Sequence, residues 1–200
     1  MSKIIVFENL TLDGVMQAPG RGDEDPRGGF EHGGWASRYA DPVLVRVGVE
    51  GFPNAGGLLL GRRTYKDFYA VWPNRTDNPF TAVLNNTRKY VASTTLKEPL
   101  PWVNSTLLKG DVAKAVAGLR AQPGKDIVVL GSGELVQTLR KHNLVDEYVL
   151  LIYPLVLGSG RRLFRHGGGI EALELVDTKT TTTGVVIATY RPAEPMVGEE

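Results

Sequence analysis

The chain has 200 residues, with 23 Lys+Arg against 22 Asp+Glu, a formal net charge of +1 and 42% hydrophobic residues. That length fits a single domain with a sizeable core, and a charge balance near zero without a basic stripe excludes the electrostatic footprint of a nucleic-acid or anionic-membrane binder. That charge balance points to small-molecule partners, and the absence of cysteine excludes a disulfide scaffold, thiol catalysis and Cys-ligated zinc or iron–sulfur sites, so a redox role requires an organic cofactor.

The first element is a short apolar strand, Ile4 to Phe7. It is too brief for a signal-peptide core and far below the roughly 20 residues of a membrane span, so the protein is expected in the cytoplasm. From Asp13 to Gly34 the chain is dense in Gly, Pro, Asp and Arg and has no period, which reads as a long loop, either a lid or binding loop or a variable surface excursion. Its Arg21-Gly22-Asp23 tripeptide is a chance match to an adhesion motif.

A second aliphatic strand, Gly57 to Leu60, runs into Gly61-Arg62-Arg63-Thr64-Tyr65, a glycine followed by a helix start with two guanidiniums and a hydroxyl. Arginine forks bind phosphate bidentately, and a helix N-terminus adds its dipole; two solvated arginines are the plainer reading. The acceptor patterns at Asn74, Asn85 and Asn104 read as turn residues. A third strand, Lys89 to Ser93, brings the hydroxyls of Ser93 and Thr94 to a comparable strand end.

Asp111 is a natural N-cap for a helix over Val112 to Ala121, stopped by Gln122-Pro123-Gly124. Gly118 to Lys125 is not a P-loop, because the glycine spacing is one residue too long and Asp126 replaces the required hydroxyl. Next, the strand Ile127 to Leu130 meets Gly131-Ser132-Gly133-Glu134-Leu135 and a helix ending near Lys141-His142-Asn143. Glycines there let a pyrophosphate approach unpaired helix N–H groups, or simply make a tight turn; the third small residue of a full dinucleotide fingerprint is Val136 instead. The strand Tyr148 to Ile152 completes an alternation that argues for crossover units and a mainly parallel sheet.

Leu173 to Lys179 and Val185 to Tyr190 read as a terminal antiparallel hairpin, and Pro192 to Glu200 as a mobile tail, leaving residues 1–191 as one domain. His32, His142 and His166 are scattered and form no metal-ligand pair, and no nucleophile-elbow motif is present. If the strands are parallel, three strand ends bearing glycine, arginine and hydroxyl groups share one carboxyl edge, where open α/β sheets bind ligands.

The segments Thr11-Leu12-Asp13-Gly14, Leu60-Gly61-Arg62-Arg63-Thr64-Tyr65 with Trp72-Pro73, Lys89 to Thr94, Val129-Leu130-Gly131-Ser132-Gly133 and Pro154-Leu155-Val156-Leu157-Gly158-Ser159-Gly160 before Leu163-Phe164 stand in this order from Ile4 to Tyr190. In order and spacing they resemble the dihydrofolate-reductase-like superfamily, in the branch containing the riboflavin-pathway reductase domain. The resemblance implies a three-layer α/β/α fold and a homodimer that binds NADPH. Gly61, Arg62, Arg63 and Thr64 would lie near the adenosine-side phosphates, Ser93 and Thr94 would join the 2′-phosphate site, and Gly131, Ser132, Gly133, Glu134 and Leu135 would face the pyrophosphate.

Residues Asn9 to Gly14 would border the nicotinamide, with Asp13 either a proton donor or a turn residue and Trp72 either a wall of the substrate pocket or a core residue. Dihydrofolate reductases carry a pterin-binding carboxylate on their first helix; the corresponding stretch here offers Asp41 and Glu50, neither in a matching motif, and the zinc deaminase domain of the bifunctional riboflavin enzymes is absent. The implied activity is hydride transfer from NADPH to a small pterin-like or ribosylaminopyrimidine-like heterocycle. The alternative is a non-catalytic nucleotide-binding protein of the same fold.

Overall fold

Runs of Val, Ile and Leu with no room for solvent on either side set the centre of the sheet. The computed structural model describes residues 1–51, 55–167 and 169–193, with backbone alone for 49–51. Its strands are β1 (Ile4–Thr11), β2 (Gly57–Gly61), β3 (Lys89–Ala92), β4 (Ser105–Leu108), β5 (Ile127–Leu130), β6 (Glu147–Tyr153), β7 (Leu173–Thr180) and β8 (Val186–Pro192), in the order β4-β3-β2-β5-β1-β6-β8-β7. The pairings from β4 across to β6 are parallel, and β6-β8 and β8-β7 are antiparallel. The mainly parallel sheet and the terminal hairpin are therefore as the sequence patterning leads one to expect.

Five α-helices cover the two faces: α1 (Pro42–Gly51), α2 (Arg62–Val71), α3 (Phe80–Asn86), α4 (Val112–Ala121) and α5 (Gly133–Lys141). Residues alternate sides along a strand, so Ile127 and Val129 of β5 meet Ala113, Val116, Leu135 and Leu139 of α4 and α5. Val128 and Leu130 point the other way, toward Tyr65 of α2 and Leu84 of α3. A third cluster joins Val15, Phe30 and Trp35 of the long loop to Tyr153 and Ile187, with Val43, Leu44 and Val47 of α1 packed against it. Because β2 and β5 are neighbours whose following helices lie on opposite faces, a crevice opens between the two helix starts at the carboxyl edge of the sheet.

Several elements differ from their sequence reading. β1 continues past Phe7 to Thr11, because Glu8 and Asn9, although polar, stay in register with Leu150 and Leu151 of β6. β4 is a sheet edge with two apolar residues in four, a pattern too weak to read as a strand. Asn85 lies inside α3 rather than in a turn, its Oδ1 accepting from Trp102 Nε1 at 2.7 Å. Asn104 does occupy a turn, in the left-handed region at φ 60°. Pro192, read as the start of the tail, ends β8 opposite Leu173; the rest of the expected tail, 194–200, lies outside the described residues.

Lys89 opens β3 with its side chain wholly buried. Its ammonium donates to the carbonyls of Leu84 at 2.6 Å and Thr87 at 2.7 Å, closing the C-terminal end of α3, and stands 4.6 Å from the centre of the Trp102 ring. Burial pushes its pKa down to about 8.

Candidate active site

Two turns build the site. After β5 the chain passes through Gly131 at φ 53° and Ser132 at φ 63° before α5 begins, and after β2 it turns at Gly61 into α2. A left-handed serine is strained and persists because its side chain and its backbone N–H are both held by hydrogen bonds. Ser132 Oγ donates to Leu130 O at 2.8 Å and accepts from Gly61 N at 2.9 Å, while Ser132 N donates to Thr64 Oγ1 at 3.1 Å. One hydroxyl thus stitches the β2–α2 turn to the β5–α5 turn. Glycine suits position 131: a Cβ there would meet the Thr64 side chain at 3.2 Å, in a backbone conformation that favours glycine.

Neither helix start is closed by its own N-cap side chain. The first-turn N–H groups of α2 and α5 are left to face one cleft of about 580 Å³, each with the positive end of a helix dipole. Arg62 and Arg63 line the same cleft, and neither forms a salt bridge among the described residues. The structure thus brings together Gly61, Arg62, Arg63, Thr64, Gly131, Ser132, Gly133, Glu134 and Leu135, all expected from the sequence at a phosphate site. Such a set fits a dinucleotide: amides for a pyrophosphate and unpaired guanidiniums for a further phosphate.

The long loop forms the opposite wall through Met16, Gln17, Ala18 and Pro19, so the lid or binding-loop reading agrees with its position better than a surface excursion does. Gln17 organises it. Its Nε2 donates to the carbonyls of Asp25 and Arg27, both at 2.9 Å, and its Oε1 accepts from Arg161 N at 3.0 Å. Arg21 ties the loop to α2 through Asp67, at 2.5 Å. Glu134 at the start of α5 is paired with Arg165 at 2.5 Å and Arg161 at 3.4 Å, and Arg165 draws its pKa down.

Other expected site residues lie elsewhere. Ser93 and Thr94 follow β3 beside β2, since Gly61 pairs with Ala92, but they do not line the cleft. Ser93 Oγ accepts instead from Thr95 N at 3.1 Å and Leu96 N at 3.0 Å. Trp72 stands behind the cleft, packed edge-on against Phe80 at 5.5 Å, with Phe68 and Phe80 themselves lining it; its position is the core-packing one.

Asp13 takes the turn position. It accepts from Thr11 Oγ1 at 2.6 Å, Gly158 N at 2.9 Å and Leu157 N at 3.2 Å, and pairs with Arg162 at 3.3 Å. Burial pushes its pKa up, but these hydrogen bonds outweigh that and bring it down to about 2, the wrong direction for a proton donor. Asp41 accepts from Val43 N at 2.7 Å and Thr182 N at 2.9 Å, fastening α1 to the β7–β8 turn outside the cleft; the side chain of Glu50 lies outside the described residues.

The floor of the cleft comes from β1: Phe7, Glu8 and Asn9. Asn9 Oδ1 accepts from Tyr153 OH at 2.9 Å. Sequence reasoning missed Glu8, although a lone acid inside the run Ile4 to Leu10 was the available signal. It also missed Gln17 and Arg27, whose loop had no periodic pattern to place them.

Comparison with known proteins agrees with this fold. The profile of the RibD C-terminal domain matches residues 2–187. An uncharacterized Bacillus subtilis protein, YyaP, is 31% identical over 194 residues, covering 94% of each chain. Among solved structures, a putative riboflavin biosynthesis protein from Shewanella sp. PV-4 superposes with a TM-score of 0.73 at 24% identity, over 96% of this chain and 99% of that one. Dihydrofolate reductase from Enterococcus faecalis, solved with NADP(H) and RAB-propyl, gives 0.62 at 13% identity, over 96% and 97% of the two chains. With the fold, the order of its motifs and the profile in agreement, this chain belongs to the RibD C-terminal domain family.

Proposed function

We propose that the protein is an NADPH-dependent reductase of a small planar heterocycle, related to pterins or ribosylaminopyrimidines. The observation that carries this reading is the convergence of two uncapped helix starts and the unpaired Arg62 and Arg63 on one cleft whose floor is the central strand. Bound NADPH would supply a hydride from its nicotinamide ring. Amides of Gly133 and Glu134 would hold the pyrophosphate and Arg62 and Arg63 the 2′-phosphate, while Phe7 and Asn9 would border the nicotinamide and the wall from Met16 to Pro19 would keep water from the reacting atoms. Asp41, held by Thr182 outside the cleft, does not supply the carboxylate that binds pterin from the first helix.

Titration of the purified protein with NADPH and NADH tests the cofactor. Arg62→Ala should weaken NADPH binding by about 10- to 100-fold, the worth of one charge-assisted phosphate contact, and leave NADH binding nearly unchanged. Equal losses for both cofactors overturn the assignment of Arg62. Cofactor consumption with dihydrofolate and with ribosylaminopyrimidines then tests the reaction. Binding without turnover of either class favours a nucleotide-binding protein that performs no reduction.

A further inference from the structure

Glu8 lines the cleft in a position that the cofactor site does not explain. It sits on the central strand with 3% of its surface exposed, and its Oε1 is buried without a hydrogen-bond partner among the described residues. The register shows why there is space beside it. The pairing of β1 with β5 stops at Phe7 and Leu130, whereas the pairing with β6 continues to Thr11. Glu8 is therefore the first residue beyond the point where β5 peels away into the Gly131 turn, and it lines the cleft that this departure opens. Its neighbours of the same parity, Ile4, Val6 and Leu10, are all in the apolar core, so hydrophobic packing alone would place an aliphatic residue here.

An unpartnered buried carboxyl is costly to keep and most costly when ionised. Burial raises the pKa of Glu8 well above the ordinary carboxylate range, and the negative charge of Glu24 adds to the effect. The other charged groups around the cleft do not reverse this. Arg27 is paired with Asp25, Arg161 and Arg165 with Glu134, and Arg162 with Asp13, while Asp67 is held by Arg21; Arg62, Arg63 and Lys66 line the cleft from α2. In its protonated form, which desolvation favours, such a carboxyl has one O–H to give.

We infer that Glu8 is the proton donor of the reduction, delivering its carboxyl proton to the acceptor heteroatom as hydride arrives at the adjacent carbon. This rests on the NADPH-reductase reading above. The acceptor class is a heterocycle with a C=N or C=O bond. The carbon gains the hydride and its electron pair, the π pair moves to nitrogen or oxygen, and that atom takes the proton from Glu8. NADPH is oxidised to NADP⁺, whose new positive charge offsets the carboxylate left on Glu8, and solvent reprotonates Glu8 after release of the reduced product.

Infrared spectroscopy, NADPH titration and turnover are measured on the wild type, Glu8→Gln and Glu8→Asp, with dihydrofolate and ribosylaminopyrimidines as acceptors. The wild type should show at neutral pH a protonated-carboxyl C=O band that Glu8→Gln removes. Glu8→Gln should bind NADPH as tightly as wild type while kcat falls by about 10²- to 10⁴-fold, and Glu8→Asp should recover part of the loss. In the wild type kcat should fall as pH rises through the raised pKa of Glu8, a limb that Glu8→Gln lacks. Absence of the carboxyl band, or turnover of Glu8→Gln within a few-fold of wild type, overturns the role of Glu8 alone. A wild type that binds no NADPH, or binds it and reduces neither acceptor class, overturns the reductase reading and this assignment with it.

Discussion

Replacing Asp13 with asparagine tests whether its carboxylate serves the fold rather than the chemistry. Its pKa lies at about 2 instead of the ordinary 3.8. That difference is about 2.4 kcal/mol at neutral pH, an upper bound because the side chain keeps 18% of its surface in solvent. The folded-state pKa is the lower one, so the contribution is present in full above the unfolded value near 3.8 and is lost as pH falls through about 2. Asparagine keeps one acceptor for Gly158 N or Leu157 N but loses the charge facing Arg162. Asp13→Asn should therefore cost about 1.5–2.5 kcal/mol at pH 7, and the deficit should shrink by roughly 1 kcal/mol by pH 3. Urea denaturation of both proteins at the two pH values measures this. A deficit that does not change with pH, or a stable variant that has lost turnover but not NADPH affinity, would refute a purely structural Asp13.

Two further substitutions probe the framework. Ser132→Ala strands Gly61 N and Leu130 O, while Ser132 N keeps Thr64 Oγ1; it should lower stability by about 1–3 kcal/mol, seen as a fall in Tm of roughly 2–10 °C, and weaken NADPH binding by loosening the join between the two turns. Lys89→Met leaves the carbonyls of Leu84 and Thr87 buried without a donor and should cost about 2–3 kcal/mol in chemical denaturation, with little effect on NADPH affinity because Lys89 does not line the cleft.

The half of the cleft built from the two helix starts was legible because its cues are local. A glycine, a helix start and two arginines stand together as Gly61 to Thr64, and Gly131 to Leu135 repeats the arrangement; each segment carries its own backbone geometry. Ser93 and Thr94 carried the same kind of local cue, yet Ser93 uses its hydroxyl to close its own turn. A strand-end hydroxyl serves a ligand or the backbone equally well, and only the neighbouring chain decides between them.

What the amino-acid order determines on its own is periodic or contiguous: the aliphatic strands, the capped helix after Asp111, the terminal hairpin, the glycine turns. What the tertiary structure alone decides is which polar groups are deprived of partners. Asp13 and Glu8 are both acids near the end of the first strand. One is surrounded by donors from residues about 145 positions away, and the other is left bare where β5 diverges. Their opposite pKa shifts arise from desolvation and from the hydrogen bonds that Thr11, Leu157 and Gly158 give Asp13, an arrangement complete only once the chain is folded.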